Sequence, residues 1–189
     1  MLRFHLPGNM PKSDNTEKAA LILAFILVGT AVLHLSSEPR WQRFTAQDGS
    51  FNVFMPKKPK AESRSVTVNG VKVESHSFSA WSRSGAEFTL SYADAPFPPS
   101  AAEGEKMLDA QLQTLTQGDE RRMIAAEKLS VNGYSARKYK GITEDGSEAD
   151  EKLFLVGRRL YILLVVHDKG EASSEVTEFF DSFTFKAED

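Results

Sequence analysis

The chain has 189 residues, a formal net charge of −3 and no cysteine. The missing thiol excludes disulfides, thiolate metal sites, a cysteine nucleophile and lipidation on cysteine. The mild acidity gives no global pull toward nucleic acid, which is not expected as a partner.

Residues 1–18 form a polar tail of mixed charge, Arg3, Lys12 and Lys18 against Asp14 and Glu17. Ala19 to Leu35 then runs seventeen residues, AALILAFILVGTAVLHL, broken only by Thr30 and His34. Seventeen is the lower limit for a spanning helix. Ten of these residues are Leu, Ile, Val or Phe, which favours insertion by roughly 3–6 kcal/mol. The expected reading is a transmembrane signal-anchor helix. A cleaved signal peptide, cut near Gly29-x-Ala31, followed by a secreted or periplasmic ligand-binding domain is the alternative. Three basic residues precede the segment, while Arg40 and Arg43 follow it; the expectation is N-terminus inside and domain outside the cytoplasm. Residues 36–40 are a linker, and the five residues between Leu35 and Trp41 reach about 16–18 Å when extended.

From Trp41 onward about 150 residues remain, enough to bury roughly 68–70% of the unfolded surface in one core. Trp41 and Phe44 open a strand, Asp48-Gly49 makes a turn, and Phe51, Val53 and Met55 alternate with outward positions until Pro56. Lys57-Lys58-Pro59-Lys60 is a basic loop, read as a solvated connector or as a contact for anionic lipid headgroups, together with Arg40 and Arg43. Asn69-Gly70 and Asn132-Gly133 each lie between strand-like runs, the pattern of a type I′ hairpin. Ser84-Gly85 leads into Phe88, Leu90 and Tyr92 on one strand face. Ser100 and Glu103 form a capping box, and Leu108, Leu112 and Leu115 mark a helix over 101–117 ended by Gly118.

KLFLV, Lys152–Val156, and the seven residues Leu160–Val166 read as paired strands joined by Gly157-Arg158, a type II′ turn. The second run has no polar break except the Tyr161 hydroxyl, so it is expected at the centre of a sheet covered on both faces. Leu163 and Val165 should point one way and Leu164 and Val166 the other, all four buried. Val176, Phe179, Phe180 and Phe183 repeat at helical spacing and should cover one face. Nine strands and two domain helices give an α+β antiparallel sandwich.

The pieces Trp41-x-x-Phe44, Asp48-Gly49-Ser50-Phe51-x-Val53-x-Met55-Pro56, Phe88-x-Leu90-x-Tyr92, Asn132-Gly133, Gly157-Arg158-Arg159-Leu160-Tyr161 and Phe179-Phe180-Asp181-Ser182-Phe183 occur in this order over 41–185. They resemble the PsbP-like fold group, which includes the extrinsic subunit of photosystem II, bacterial exported relatives and a Ran-binding nuclear-import factor. The resemblance implies a central antiparallel sheet flanked by helices, an α/β/α sandwich over 41–189, and an accessory or binding role rather than catalysis. No metal site of that group carries over residue by residue.

The chemistry-bearing residues are few. His76 and His167 stand alone on their strands, and HExxH, G-x-S-x-G and phosphate-loop patterns are absent. No catalytic residue and no cofactor is expected. The rival reading is a hydrolase or other enzyme at a sheet edge, which needs a pocket gathering His76 or His167 with a carboxylate and a serine. Glu144, Asp145, Glu148, Asp150 and Glu151 are read as a solvated hairpin tip, with a weak cation site as the sharper reading. Arg137, Lys138, Lys140, Arg158 and Arg159 either balance that tip or form a partner surface. The expected partners are the membrane, through Ala19–Leu35, and a protein at or near it.

Overall fold

The computed structural model describes residues 41–68, 71–117, 121–171 and 173–186, all within one compact unit, Arg40–Asp189. The tail, Ala19–Leu35, the linker with Arg40, Asn69-Gly70 and Gly118 lie outside the described residues, as does the Leu115 side chain. Among the described residues no helix is long and apolar enough to cross a membrane.

Ten strands are described: β1 (Gln42–Thr45), β2 (Phe51–Met55), β3 (Lys60–Val68), β4 (Val71–Trp81), β5 (Glu87–Asp94), β6 (Arg121–Val131), β7 (Tyr134–Thr143), β8 (Glu148–Val156), β9 (Arg159–His167) and β10 (Thr184–Phe185). The helices are α1 (Ala101–Gln117) and α2 (Ser173–Ser182). Seven strands make one antiparallel sheet, ordered β3-β4-β5-β9-β8-β7-β6, with β9 in the middle as its apolar run requires.

Turn chemistry sets the register. Asn132 and Gly133 have φ of 52° and 83°, the two positive values a type I′ turn needs, and Val131 lies opposite Tyr134. Gly157, with φ of 56°, joins Val156 to Arg159 in a two-residue turn. Counting outward from that turn places Phe154 opposite Tyr161 and Glu148 opposite His167.

One face of the sheet carries Phe88, Leu90, Phe154, Tyr161, Leu163 and Val165, all buried. Val176, Phe179 and Phe180 of α2 cover it. So does a second sheet that the sequence reading did not separate from the first. In it β2 is flanked antiparallel by β1 and by the two-residue β10. Phe51 points from this small sheet into a nest of rings, with centroids 5.9 Å from Phe78, Tyr92 and Tyr161 alike. Rings at such tilts and distances add to the roughly 1.5–3 kcal/mol that burying each large side chain contributes.

The other face is only half covered. Leu108 of α1 is buried against Leu153 and Leu155, with Met107, Leu160 and Ile162 packed around them. A Cβ at Gly104 would lie 2.7 Å from Leu155 Cδ2, so glycine lets the helix sit this close. The capping box is formed: the Ser100 amide donates to Glu103 Oε2 (2.8 Å), and the Glu103 amide to Ser100 Oγ (3.4 Å). α1 lies over β6, β7 and β8, leaving β4, β5 and the far half of β9 uncovered by it. Leu164 and Val166 are therefore half-buried, which corrects the expectation of full burial. β4 and β5 meet this situation with hydroxyls: Ser91 donates to Ser77 (3.0 Å), and Ser79 pairs with Thr89 (2.9 Å).

Candidate functional site

The charged residues resolve into three ties and one exposed edge. At one end of the sheet Arg159 forks onto Asp94, Nε to Oδ1 at 2.7 Å and Nη2 to Oδ2 at 2.9 Å, and its Nη1 reaches Asp48 at 3.1 Å. Asp94 faces Arg159 across β5 and β9, so register alone brings them together. The guanidinium lies 4.4 Å from the Tyr92 ring centre, whose plane also stacks with His76 at 4.8 Å. Hydrogen bonds from Ser50, with Arg159 adding to them, hold Asp48 down at about 2. The bonds from Arg159 also lower Asp94. Burial pushes the Tyr92 and Tyr161 hydroxyls up.

The second tie fastens α1 to the sheet. Arg137 on β7 donates through Nη2 to Glu105 (2.6 Å) and through Nε to Asp109 (2.8 Å), acids one turn apart on the helix. Burial opposes its charge, but these bonds outweigh it and raise the guanidinium above its ordinary value. With its side chain 2% exposed, Arg137 is no partner surface, which corrects the sequence reading. Strand alternation explains it: Arg137 faces α1, while Lys138 and Lys140 face the other way.

The third tie lies at the opposite end of β8 and β9 from Arg159. Asp150 Oδ2 is 3.0 Å from His167 Nε2, and His167 Nδ1 is 2.8 Å from the Asp168 carbonyl oxygen. Lys140 donates to Glu148 (2.9 Å); that bond raises the lysine and lowers the carboxyl. Glu148, Asp150 and His167 bring their ligating atoms within 4.8 Å of one another. Two oxygens and one imidazole nitrogen are a donor set for a borderline divalent metal such as zinc. The five acidic residues of the sequence reading do not converge. Glu144 and Asp145 are exposed on the turn, Glu148 and Asp150 point to the His167 face, and Glu151 is buried on the other.

Lys138 and Arg158 remain exposed; Arg158 Nη2 comes within 3.8 Å of Asp94. The basic set is thus split between two faces and two ends rather than gathered into one patch. Lys57, Lys58 and Lys60 are exposed. His76 pairs with the Ser63 hydroxyl at 2.8 Å, without a carboxylate, and His167 has carboxylates without a serine. The described residues therefore do not bring together the His, carboxylate and serine that the enzyme reading requires. A cavity of about 260 Å³ opens between Arg43, Asn52, Phe54 and Ser182, smaller than the roughly 300–1,000 Å³ typical of small-molecule pockets. The register that joins Glu148 to His167 was legible from the Gly157-Arg158 turn by counting. The Arg137 tie had a signal too, since Glu105 and Asp109 lie four apart on a helix.

No protein-family model matches the sequence, and no curated protein matches it. Among solved structures, the solution structure of cyanobacterial PsbP (CyanoP) from Synechocystis sp. PCC 6803 matches with a TM-score of 0.52 at 13% identity, over 80% of this chain and 96% of that one. A Bacteroides thetaiotaomicron crystal structure matches with a TM-score of 0.42 at 15% identity, over 79% of this chain and 50% of that one. With its antiparallel main sheet and two helices, the domain has the PsbP-like fold.

Proposed function

We infer that this chain is a non-catalytic accessory or assembly domain, held at a membrane by Ala19–Leu35 and acting on the extracytoplasmic side on a protein at or near that membrane. One observation carries the reading: among the described residues, three of the least exposed charged or imidazole side chains are tied to neighbours within the fold. Arg159, Arg137 and His167 each have their polar atoms engaged by neighbouring groups. The arginine ties fix strands and helix in place, and both ring nitrogens of His167 are taken up, one by Asp150 and one by the Asp168 carbonyl oxygen, so neither is left to act on a substrate. The PsbP-like fold agrees with a binding role, and the apolar seventeen-residue segment supports the tether.

Carbonate extraction of membranes from cells expressing the full-length chain tests the anchor. The intact chain is expected to stay with the membrane pellet. Release of uncut chain into the soluble fraction would remove the tether, and recovery of a soluble chain shortened at its N-terminus would mark a cleaved signal.

A further inference from the structure

We propose that the edge of the domain formed by Trp41, Lys57, Lys58, Lys60, Trp81 and Arg83 is a contact surface for anionic lipid, on which the domain lies against the bilayer. The pose rests on the tether reading; the lipid chemistry does not.

Register brings these residues together. Gln42 lies opposite Met55, so the first described residue, Trp41, stands beside Pro56 and the basic loop that follows. Trp41 packs edge-on against Phe88 at 5.1 Å, and Phe88 lies opposite Ala80, which puts the Trp81 end of β4 at the same place. Trp81 is 44% exposed, with the Lys57 ammonium 5.7 Å from its ring centre. Lys58, Lys60 and Arg83 are exposed as well. The loop after Trp81 is held in shape, because the Ser82 and Ser84 hydroxyls both donate to Glu175 Oε2, at 3.1 and 2.8 Å.

An exposed indole beside flexible ammonium groups is the chemistry of a membrane interface. The ring sits at headgroup depth, and each lysine near an anionic surface strengthens binding about fivefold. Glu62 is flanked by Lys60 at 2.8 Å and Arg64 at 3.4 Å, so its charge is more than offset, while Glu175, held by the two serine hydroxyls, keeps its charge as the one acid fixed beside this loop. Glu87 lies opposite Trp81 and is half-buried. The acidic turn carrying Glu144 and Asp145 leaves the same end of the sheet, but three to four strands away, roughly 14–19 Å. That exceeds the Debye length of about 8 Å at physiological salt. Between the basic loop and that turn, about two strands from β4 and so roughly 10 Å away, stand exposed Asp168, Lys169 and Glu171 after β9. The charge at this end thus runs from basic at Lys57–Lys60 to acidic at Glu144 and Asp145, and lipid contact by the basic side tilts the acidic side away.

The domain core is complete within residues 41–186, so purified 40–189 serves as the probe. It is sedimented with vesicles of phosphatidylcholine alone and of phosphatidylcholine mixed with phosphatidylglycerol. Binding is expected only to the anionic vesicles, weakening as salt rises. Lys57→Gln, Lys58→Gln and Lys60→Gln together should lower it by roughly a hundredfold. Trp81→Ala should weaken it at an unchanged melting temperature, and Glu144→Gln with Asp145→Asn should leave it intact. No binding to anionic vesicles, or equal binding by the triple lysine variant, overturns the proposal. Either result beside a carbonate-resistant full-length chain would leave the anchor standing and remove only the lipid surface.

Discussion

At the scale of residues, the protein spends its buried charge on fixed geometry. The Arg159 fork onto Asp94, stacked on Tyr92 and reaching Asp48, joins β5, β9 and the turn before β2. Asp94→Asn leaves the guanidinium half paired, which should cost about 1–3 kcal/mol. Partial exposure keeps that below the cost of breaking a fully buried pair. The pH dependence has a definite sign. Asp48, at about 2, and Asp94 both lie lower in the folded protein than in the unfolded chain. Their contribution is present above about pH 4 and is lost as pH falls through the folded values. Thermal melts should show a falling midpoint from about pH 4 to pH 2, with a shallower fall in the Asp48→Asn/Asp94→Asn variant. A variant as acid-sensitive as the parent would place the acid response elsewhere.

At the scale of elements, the unequal covering of the main sheet makes its own prediction. Leu163 is fully buried beneath α2 and the small sheet, whereas Leu164 on the opposite face is half-buried. Leu163→Ala should cost roughly 2–5 kcal/mol, and Leu164→Ala distinctly less, read as the difference in denaturation midpoints. Equal losses would mean that something covers the second face in solution. The central position of β9, its partner β8 and the α1 boundaries were legible because their causes are local: an unbroken apolar run, a Gly157-Arg158 turn, a Ser100–Glu103 box. The small sheet was not. Its third strand is Thr184–Phe185, far too short to register as a strand, and it pairs with residues more than a hundred positions earlier. The half-open face was partly legible in Ser75, Ser77 and Ser79, which alternate along β4. Which strands α1 covers is set by Leu108 against Leu153 and Leu155 together with the Arg137 tie; the helix side of that tie shows in the spacing of Glu105 and Asp109, but its partner strand is a long-range contact that local pattern does not carry.

At the scale of the whole molecule, a self-contained domain of PsbP-like fold follows an apolar segment, Ala19–Leu35, after five residues. With Ala19–Leu35 seated in a bilayer as proposed, a linker reaching at most about 16–18 Å would keep such a domain within one domain diameter of it. Partners confined to the same surface would then meet it at high effective concentration, without any added contact. The direct test is complementation in a strain lacking the protein, comparing the full-length chain with residues 40–189 exported untethered into the same compartment at equal abundance. The tethered role predicts that the full-length chain restores function and that the untethered domain, though folded, restores little of it. Full restoration by the untethered domain would contradict the tethered role and reduce Ala19–Leu35 to an export signal.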